Sequence, residues 1–295
     1  MNRHYVLCQH GLFGNRVDFQ RFAEYFQERP DENVEVIILS KNERMHQTLD
    51  GVAVAGERCW ADVVLAVAEM DRGSPISVLG HSMGGLLLRY ALRKIELHQP
   101  SFWQDAGLKP RLAIFVATPH LGIGSSNWLI RTSSQYIFRH LFRSVSDLSL
   151  STQVLKELAD DAGVAALNRF DQVVLFSNAS GDTLVSARSA LMLEHVIIPE
   201  NNLAGDVMTV IEYSVEPINQ ADAQVQPEQF QIVEMLKSLK NVQRFLVTAP
   251  CSLPGALKLF DNSAHTKIIC HGLLDRSRVG MPMINHMGSL ICKPL

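Results

Sequence analysis

Short apolar runs alternate with longer amphipathic stretches along most of this chain. Residues 5–9, 34–39, 76–79, 112–117, 172–177 and 242–248 are dense in Val, Ile, Leu and Phe and read as strands. Between them, 19–27, 51–70, 84–97 and 227–239 carry apolar residues at helical spacing. In 51–70 an Ala/Val/Leu face is interrupted by Glu57, Asp62 and Glu69, the mark of a long helix with one exposed side. Runs such as 34–39 are nearly all apolar and predict a strand buried on both faces. The alternation predicts an α/β class chain, a mostly parallel sheet with helices on both faces.

Two interruptions break this rhythm. More than fifty residues without a strand separate 117 from 172. Within them 128–145 mixes Trp128, Tyr136, Phe138 and Phe142 with Arg131, Arg139, His140 and Arg143, and 150–167 reads as a second helical piece broken near Gly163. An insertion over 121–168 predicts a helical lid above the sheet edge. The second interruption, 195–216, holds two β-branched runs, 195–198 and 207–213, and predicts a small inserted hairpin. The last stretch, 280–295, fits no element by pattern. The whole chain, 1–295, reads as a single domain: 295 residues that are 47% hydrophobic support one large core, and two compact domains are allowed but not required.

The strand at 76–79 runs into Gly80-His81-Ser82-Met83-Gly84, and a helix leaves it. Strand, Gly-x-Ser-x-Gly and helix in that order are a nucleophile elbow, a serine held on a sharp turn for acyl transfer. Gly80 and Gly84 stand where strand and helix backbones approach too closely for a Cβ. Two partners are then required, an acid and a histidine, in the order Ser, Asp or Glu, His. Asp182 follows the strand at 172–177 within Ser180-Gly181-Asp182-Thr183 and is the candidate acid, although the same four residues make a good turn or helix cap. Asp171 stands at the wrong edge of that strand, and Asp160 and Asp161 fall in the insertion. His265, in a small polar loop after the last strand, is the candidate base, with His271 as the alternative. Oxyanion donors are expected from the backbone N–H of Met83 and from the glycine turn His10-Gly11-Leu12-Phe13-Gly14, where Leu12 is the candidate. His10, Gly11, His81 and His120 lie near this chemistry and read as pocket-lining or supporting residues, because His120 precedes Asp182 and so breaks the order expected of a base.

Charge and cysteine content narrow the partners. A formal net charge of -3, from 27 basic and 30 acidic side chains, gives no reason to expect nucleic acid. The five cysteines are scattered, with no metal-ligand or redox spacing, and the serine chemistry implies neither a metal nor an organic cofactor. They read as reduced thiols, and the opening residues lack a signal-peptide core, so an intracellular, cytoplasmic protein without a signal peptide or transmembrane segment is expected. The aromatic and cationic stretch 128–145 raises the expectation of peripheral membrane contact, against the plainer reading of an amphipathic helix packed on the body.

His10–Gly14 as H-G-L-x-G, Gly80-His81-Ser82-Met83-Gly84-Gly85, and Ala117-Thr118-Pro119-His120-Leu121-Gly122 occur together and in order. In these motifs the chain resembles the lipase-like serine esterase family of eukaryotic α/β-hydrolases. The resemblance extends to Gly181-Asp182-Thr183-Leu184-Val185 and to Ala264-His265-Thr266-Lys267-Ile268-Ile269, so that it covers about residues 3 to 272, loosely in the two insertions. It implies the α/β-hydrolase fold and hydrolysis of a carboxylic ester, with a lipid such as an acylglycerol or phospholipid as substrate. Thioesterase and acyltransferase activity share the same serine chemistry. A catalytically silent binding or scaffold protein shares the fold alone.

Overall fold

The structure, a computed structural model, describes residues 2–123, 143–150, 152–182, 184–198, 208–214, 226–248, 265, 268–269 and 280–293. Among the described residues, seven strands form one sheet: β1 (His4–Gln9), β2 (Val34–Ile38), β3 (Pro75–His81), β4 (Lys109–Val116), β5 (Gln172–Asn178), β6 (Thr209–Glu212) and β7 (Val242–Thr248). Their order is β2-β1-β3-β4-β5-β7-β6. Every pairing is parallel except that of β6 with β7.

Parallel strands need crossovers, and the helices that supply them cover both faces. Successive side chains therefore enter two different cores. Leu7, Val78, Phe115 and Leu175 point into one, shared with the helices Val52–Ala68 and Met83–His98. Cys8, Leu79, Ile114 and Val174 point into the other, shared with Gln20–Gln27 and Met281–Cys292. This is why the central strands read as unbroken apolar runs. The chain leaves β1 for β2 on one side and returns to β3 on the other. That reversal makes the carboxyl ends of β1 and β3 a topological switch point, the usual ligand position in an open α/β sheet. Sheet order and helical cover together make the α/β-hydrolase fold.

Several expectations change. Among the described residues β2 is an edge strand, paired only with β1 and part-exposed along its length, so its apolar run does not signify burial on both faces. The stretch 150–167 belongs to the body rather than to a lid. Its helices Val154–Glu157 and Asp161–Leu167 bury Leu155, Leu158, Val164 and Leu167 in the core of the Met83–His98 helix, where Arg93 pairs with Asp160. The break between them falls at Asp160, whose carboxylate caps the second helix by accepting the Gly163 N–H at 2.8 Å, and not at Gly163. The hairpin at 195–216 is also revised. No strand forms over 195–198, and Thr209–Glu212 instead extends the main sheet antiparallel to β7, where that strand's open edge supplies hydrogen-bond partners. The unassigned end is a helix, Met281–Cys292, opened by a proline in its first turn. Residues 128–142 of the expected lid, with the membrane contact placed on them, and His271 lie outside the described residues.

Candidate active site

Ser82 follows β3 and precedes the helix Met83–His98, at φ 54° and ψ −134°. A left-handed serine between a strand and a helix is strained, and it persists because both neighbours are tied down. Its own N–H donates to the Val116 carbonyl at the end of β4 at 2.8 Å, and its carbonyl accepts from Gly85 N–H at 3.1 Å. The turn leaves no room beside it. A Cβ at Gly84 would lie 2.7 Å from the His10 carbonyl carbon, and one at Gly11 would lie 2.7 Å from Ser82 Cβ and 3.2 Å from its Oγ.

His265 stands between Ser82 and Asp182. Its Nε2 is 2.9 Å from Ser82 Oγ and its Nδ1 is 2.7 Å from Asp182 Oδ2. In the neutral imidazole this geometry fits an Nδ1–H donating to the carboxylate while Nε2 accepts from the serine hydroxyl. Both side chains are nearly inaccessible, 6% exposed for His265 and 3% for Asp182. Burial raises the Asp182 carboxyl, but His265, by charge and by hydrogen bond, outweighs it together with the Val185 N–H and the Asn178 amide, leaving it below the ordinary aspartate value. The two carboxylate oxygens divide the work. Oδ1 accepts from Leu184 and Val185 N–H at 3.0 and 2.9 Å, and Oδ2 faces His265 and the Asn178 Nδ2 at 3.0 Å. The turn that the sequence allowed at Asp182 and the contact with His265 are made by the same side chain.

The other expected residues surround this group. His81 Nε2 donates to the His265 carbonyl at 2.9 Å, so it holds the backbone of the histidine rather than the serine. His10 is buried and donates through Nδ1 to the Gly11 carbonyl at 3.1 Å. Met83, wholly buried, opens the helix whose first N–H groups have no intrahelical acceptor. Leu12 follows Gly11, which packs on Ser82. His120 lies elsewhere in the network. Its Nδ1 is 3.0 Å from Arg89 Nη1, and a guanidinium only donates, so Nδ1 must accept and the ring is neutral. Burial first, and the Arg89 charge second, push His120 well below the usual histidine value.

Two residues escaped the reading of the sequence. Asn178, the last residue of β5, orients Asp182, and its position four residues before a candidate acid was the available signal. Arg89, two turns along the elbow helix, is fully buried; burial lowers it to about 10, and it donates to His120 and to the Leu158 carbonyl at 2.6 Å. Its helix position looks like an ordinary solvated arginine, and no local pattern distinguishes it.

Comparison with known proteins places these motifs in a family. Residues 1–193 match the family described as "Putative serine esterase (DUF676)". That span contains Ser82 and Asp182; His265 lies beyond it. Among relatives, "Putative lipase YDL109C" of Saccharomyces cerevisiae is 26% identical over 201 residues, which cover 64% of this chain and 30% of that protein. "Putative lipase ROG1" of the same yeast is 26% identical over 205 residues, covering 65% and 29%. The chain thus spans about 30% of the length of the curated relatives it matches. Among solved structures, a lipase-esterase related protein from Clostridium acetobutylicum aligns with a TM-score of 0.49 at 10% identity, over 97% of this chain and 94% of that one. With nearly two thirds of its length matched by the family, this chain belongs to the serine esterase family of that description, within the α/β-hydrolases.

Proposed function

We propose that the chain is a serine esterase that hydrolyses a carboxylic ester through Ser82, His265 and Asp182. The observation that carries this reading is the position of His265, 2.9 Å from Ser82 Oγ and 2.7 Å from Asp182 Oδ2. His265 Nε2 takes the proton as Ser82 Oγ attacks the ester carbonyl carbon. Asp182 holds the Nδ1–H tautomer and stabilises the imidazolium without accepting its proton. The N–H groups of Leu12 and Met83 receive the negative charge that develops on the carbonyl oxygen, each worth about 3 kcal/mol in the transition state. His265 then gives its proton to the leaving alcohol oxygen. A water attacks the acyl-enzyme by the reverse assignment, releasing the acid and restoring the serine.

A lipid ester is the proposed substrate class. Phe13, 54% exposed, and Leu184, 37% exposed, sit on the two loops that carry Leu12 and Asp182, and such apolar side chains suit an alkyl chain entering the site. The relatives described as lipases favour the same class.

The test is turnover of p-nitrophenyl esters together with labelling by a fluorophosphonate probe. The wild-type chain is expected to hydrolyse and to label, and Ser82→Ala to lose both with its fold intact. Retained turnover in that variant would end the proposal, and a chain that never labels would be a scaffold. Parallel assays with a monoacylglycerol, a lysophospholipid and an acyl-CoA separate lipase from thioesterase chemistry.

A further inference from the structure

The turn after β1 holds a bulky residue in a backbone conformation that such residues avoid. Gly14 N–H donates to the Gly11 carbonyl at 3.1 Å, closing a β-turn over Leu12 and Phe13, and Phe13 has φ 57°. A positive φ at the third turn position is the type II signature and normally selects Gly or Asn. Phenylalanine there costs roughly 1–2 kcal/mol. Its side chain is more than half exposed, so core packing does not hold it in place.

Thr48 does. Thr48 Oγ1 accepts the Phe13 N–H at 3.1 Å and donates to the Met45 carbonyl at 2.8 Å, which uses the hydroxyl in both directions. The residue is wholly buried in the short 3-10 helix Met45–Leu49. It is itself pinned, since its carbonyl accepts from Ser144 Oγ at 2.6 Å, and the same Oγ accepts from Gly51 N–H at 3.0 Å. The strained peptide is therefore anchored to a rigid, buried point more than thirty residues away in sequence. On its other side the turn is pressed against the nucleophile, where Gly11 leaves no space for a Cβ. The Leu12 N–H lies between these two constraints, one peptide from each.

We propose that Thr48 is a positioning residue that sets the aim of the Leu12 N–H by holding Phe13 in its left-handed conformation. The proposal rests on the esterase reading and deepens it, for it makes the oxyanion donor dependent on a hydroxyl that touches no substrate. Oxyanion stabilisation falls steeply with misaim, because the donor must meet the oxygen of the tetrahedral state and not that of the bound ester. Loss of the hydroxyl should accordingly appear in kcat and spare KM.

The experiment compares wild type, Thr48→Val and Thr48→Ser for p-nitrophenyl ester turnover, inhibition by an alkyl boronic acid, and Tm. Thr48→Val, which keeps the branched shape and loses the hydroxyl, is expected to lower kcat about 10–100-fold with KM within about twofold. Boronate inhibition, which needs the tetrahedral adduct, should weaken with it, while Thr48→Ser stays within about threefold of wild type. The same change is then made in a Phe13→Asn background. Asparagine accepts a positive φ, so the cost of Thr48→Val should shrink to less than about threefold. That comparison also serves if the single Thr48→Val variant does not fold. Full kcat in Thr48→Val, an equal loss in Thr48→Ser, or an undiminished cost in the Phe13→Asn background would each overturn the positioning role. A wild-type chain that neither turns over an ester nor labels with a fluorophosphonate would instead overturn the esterase reading itself.

Discussion

Asp182 shows how much one carboxylate does here. Two backbone N–H groups hold Oδ1 and so close the loop after β5, while Oδ2 meets His265 and Asn178. Replacement by asparagine preserves the shape and the turn but reverses the tautomer offered to the imidazole. Asp182→Asn is expected to lower kcat by about 10⁴-fold in ester turnover with Tm little changed. Asn178→Ala removes only one charge-assisted bond to the same group, worth about 1.5 kcal/mol, and should cost roughly tenfold. If the two variants lost activity equally, Asp182 would act mainly as a turn residue and not through His265. Asp182 stood out in the sequence as the candidate acid because a polar Gly-Asp loop directly follows a buried apolar run. Its partner Asn178 did not, since it closes that run as an ordinary strand-end amide.

At the scale of elements, the site depends on how closely β1, β3 and the elbow helix approach one another. Gly84 faces the His10 carbonyl and Gly11 faces Ser82, so added methyl groups at the two positions have different consequences. At Gly84 the obstacle is backbone on both sides, and the helix must move away from β1. Gly84→Ala is expected to cost about 1–3 kcal/mol and to lower Tm by several degrees. At Gly11 the nearest obstacle is the serine side chain, Ser82 Cβ at 2.7 Å and Oγ at 3.2 Å, with the His81 carbonyl oxygen at 3.0 Å beside it. Gly11→Ala should therefore abolish most ester turnover by turning Ser82 Oγ away from His265 Nε2, with a smaller fall in Tm. Thermal melts and kinetics on both variants check this, and a Gly11→Ala enzyme with normal kcat would contradict the packing. The tight turn at Ser82 was readable from its spacing, because close approach demands glycine at fixed offsets. The packing of the stretch after residue 151 was not. Residues 150–167 are as amphipathic as a lid helix would be, and only their burial against the elbow helix assigns them to the body.

Across the whole molecule, several histidines are buried in their neutral form. His4 is lowered to about 4 by burial first and by the Arg111 charge second, and its Nε2 is 2.8 Å from Ser77 Oγ. His120 and His10 are lowered in the same direction, again chiefly by burial. Each has a folded-state value below its unfolded value near 6.5, so the unfolded chain takes up the proton first as pH falls. Their contribution is complete above about pH 6.5, declines through the window below it, and for His4 is lost by about pH 4. The His4 shift alone corresponds to roughly 3 kcal/mol. Asp182, lowered by its partners, acts with the same sign at still lower pH. Urea unfolding is expected to show stability falling steadily from pH 7 to pH 4.5, and a smaller slope in His4→Gln. A flat profile over that range would mean that these rings are not held neutral by the fold.

The sequence by itself determined the α/β class and the place of most strands and helices, and it singled out Ser82 as the candidate nucleophile, because each follows from local periodicity or from residues within a few positions of one another. It also marked Asp182 and His265, through chain order and through resemblance to a family. Only the tertiary structure decided that β2 is an edge, that the stretch after residue 150 packs into the body, that the chain's end is a helix against Gln20–Gln27, and that a buried arginine and Thr48 stand behind the site. Each of these depends on contacts between residues far apart along the chain, and burial, pairing and strain relief at such contacts leave no trace in the neighbouring letters.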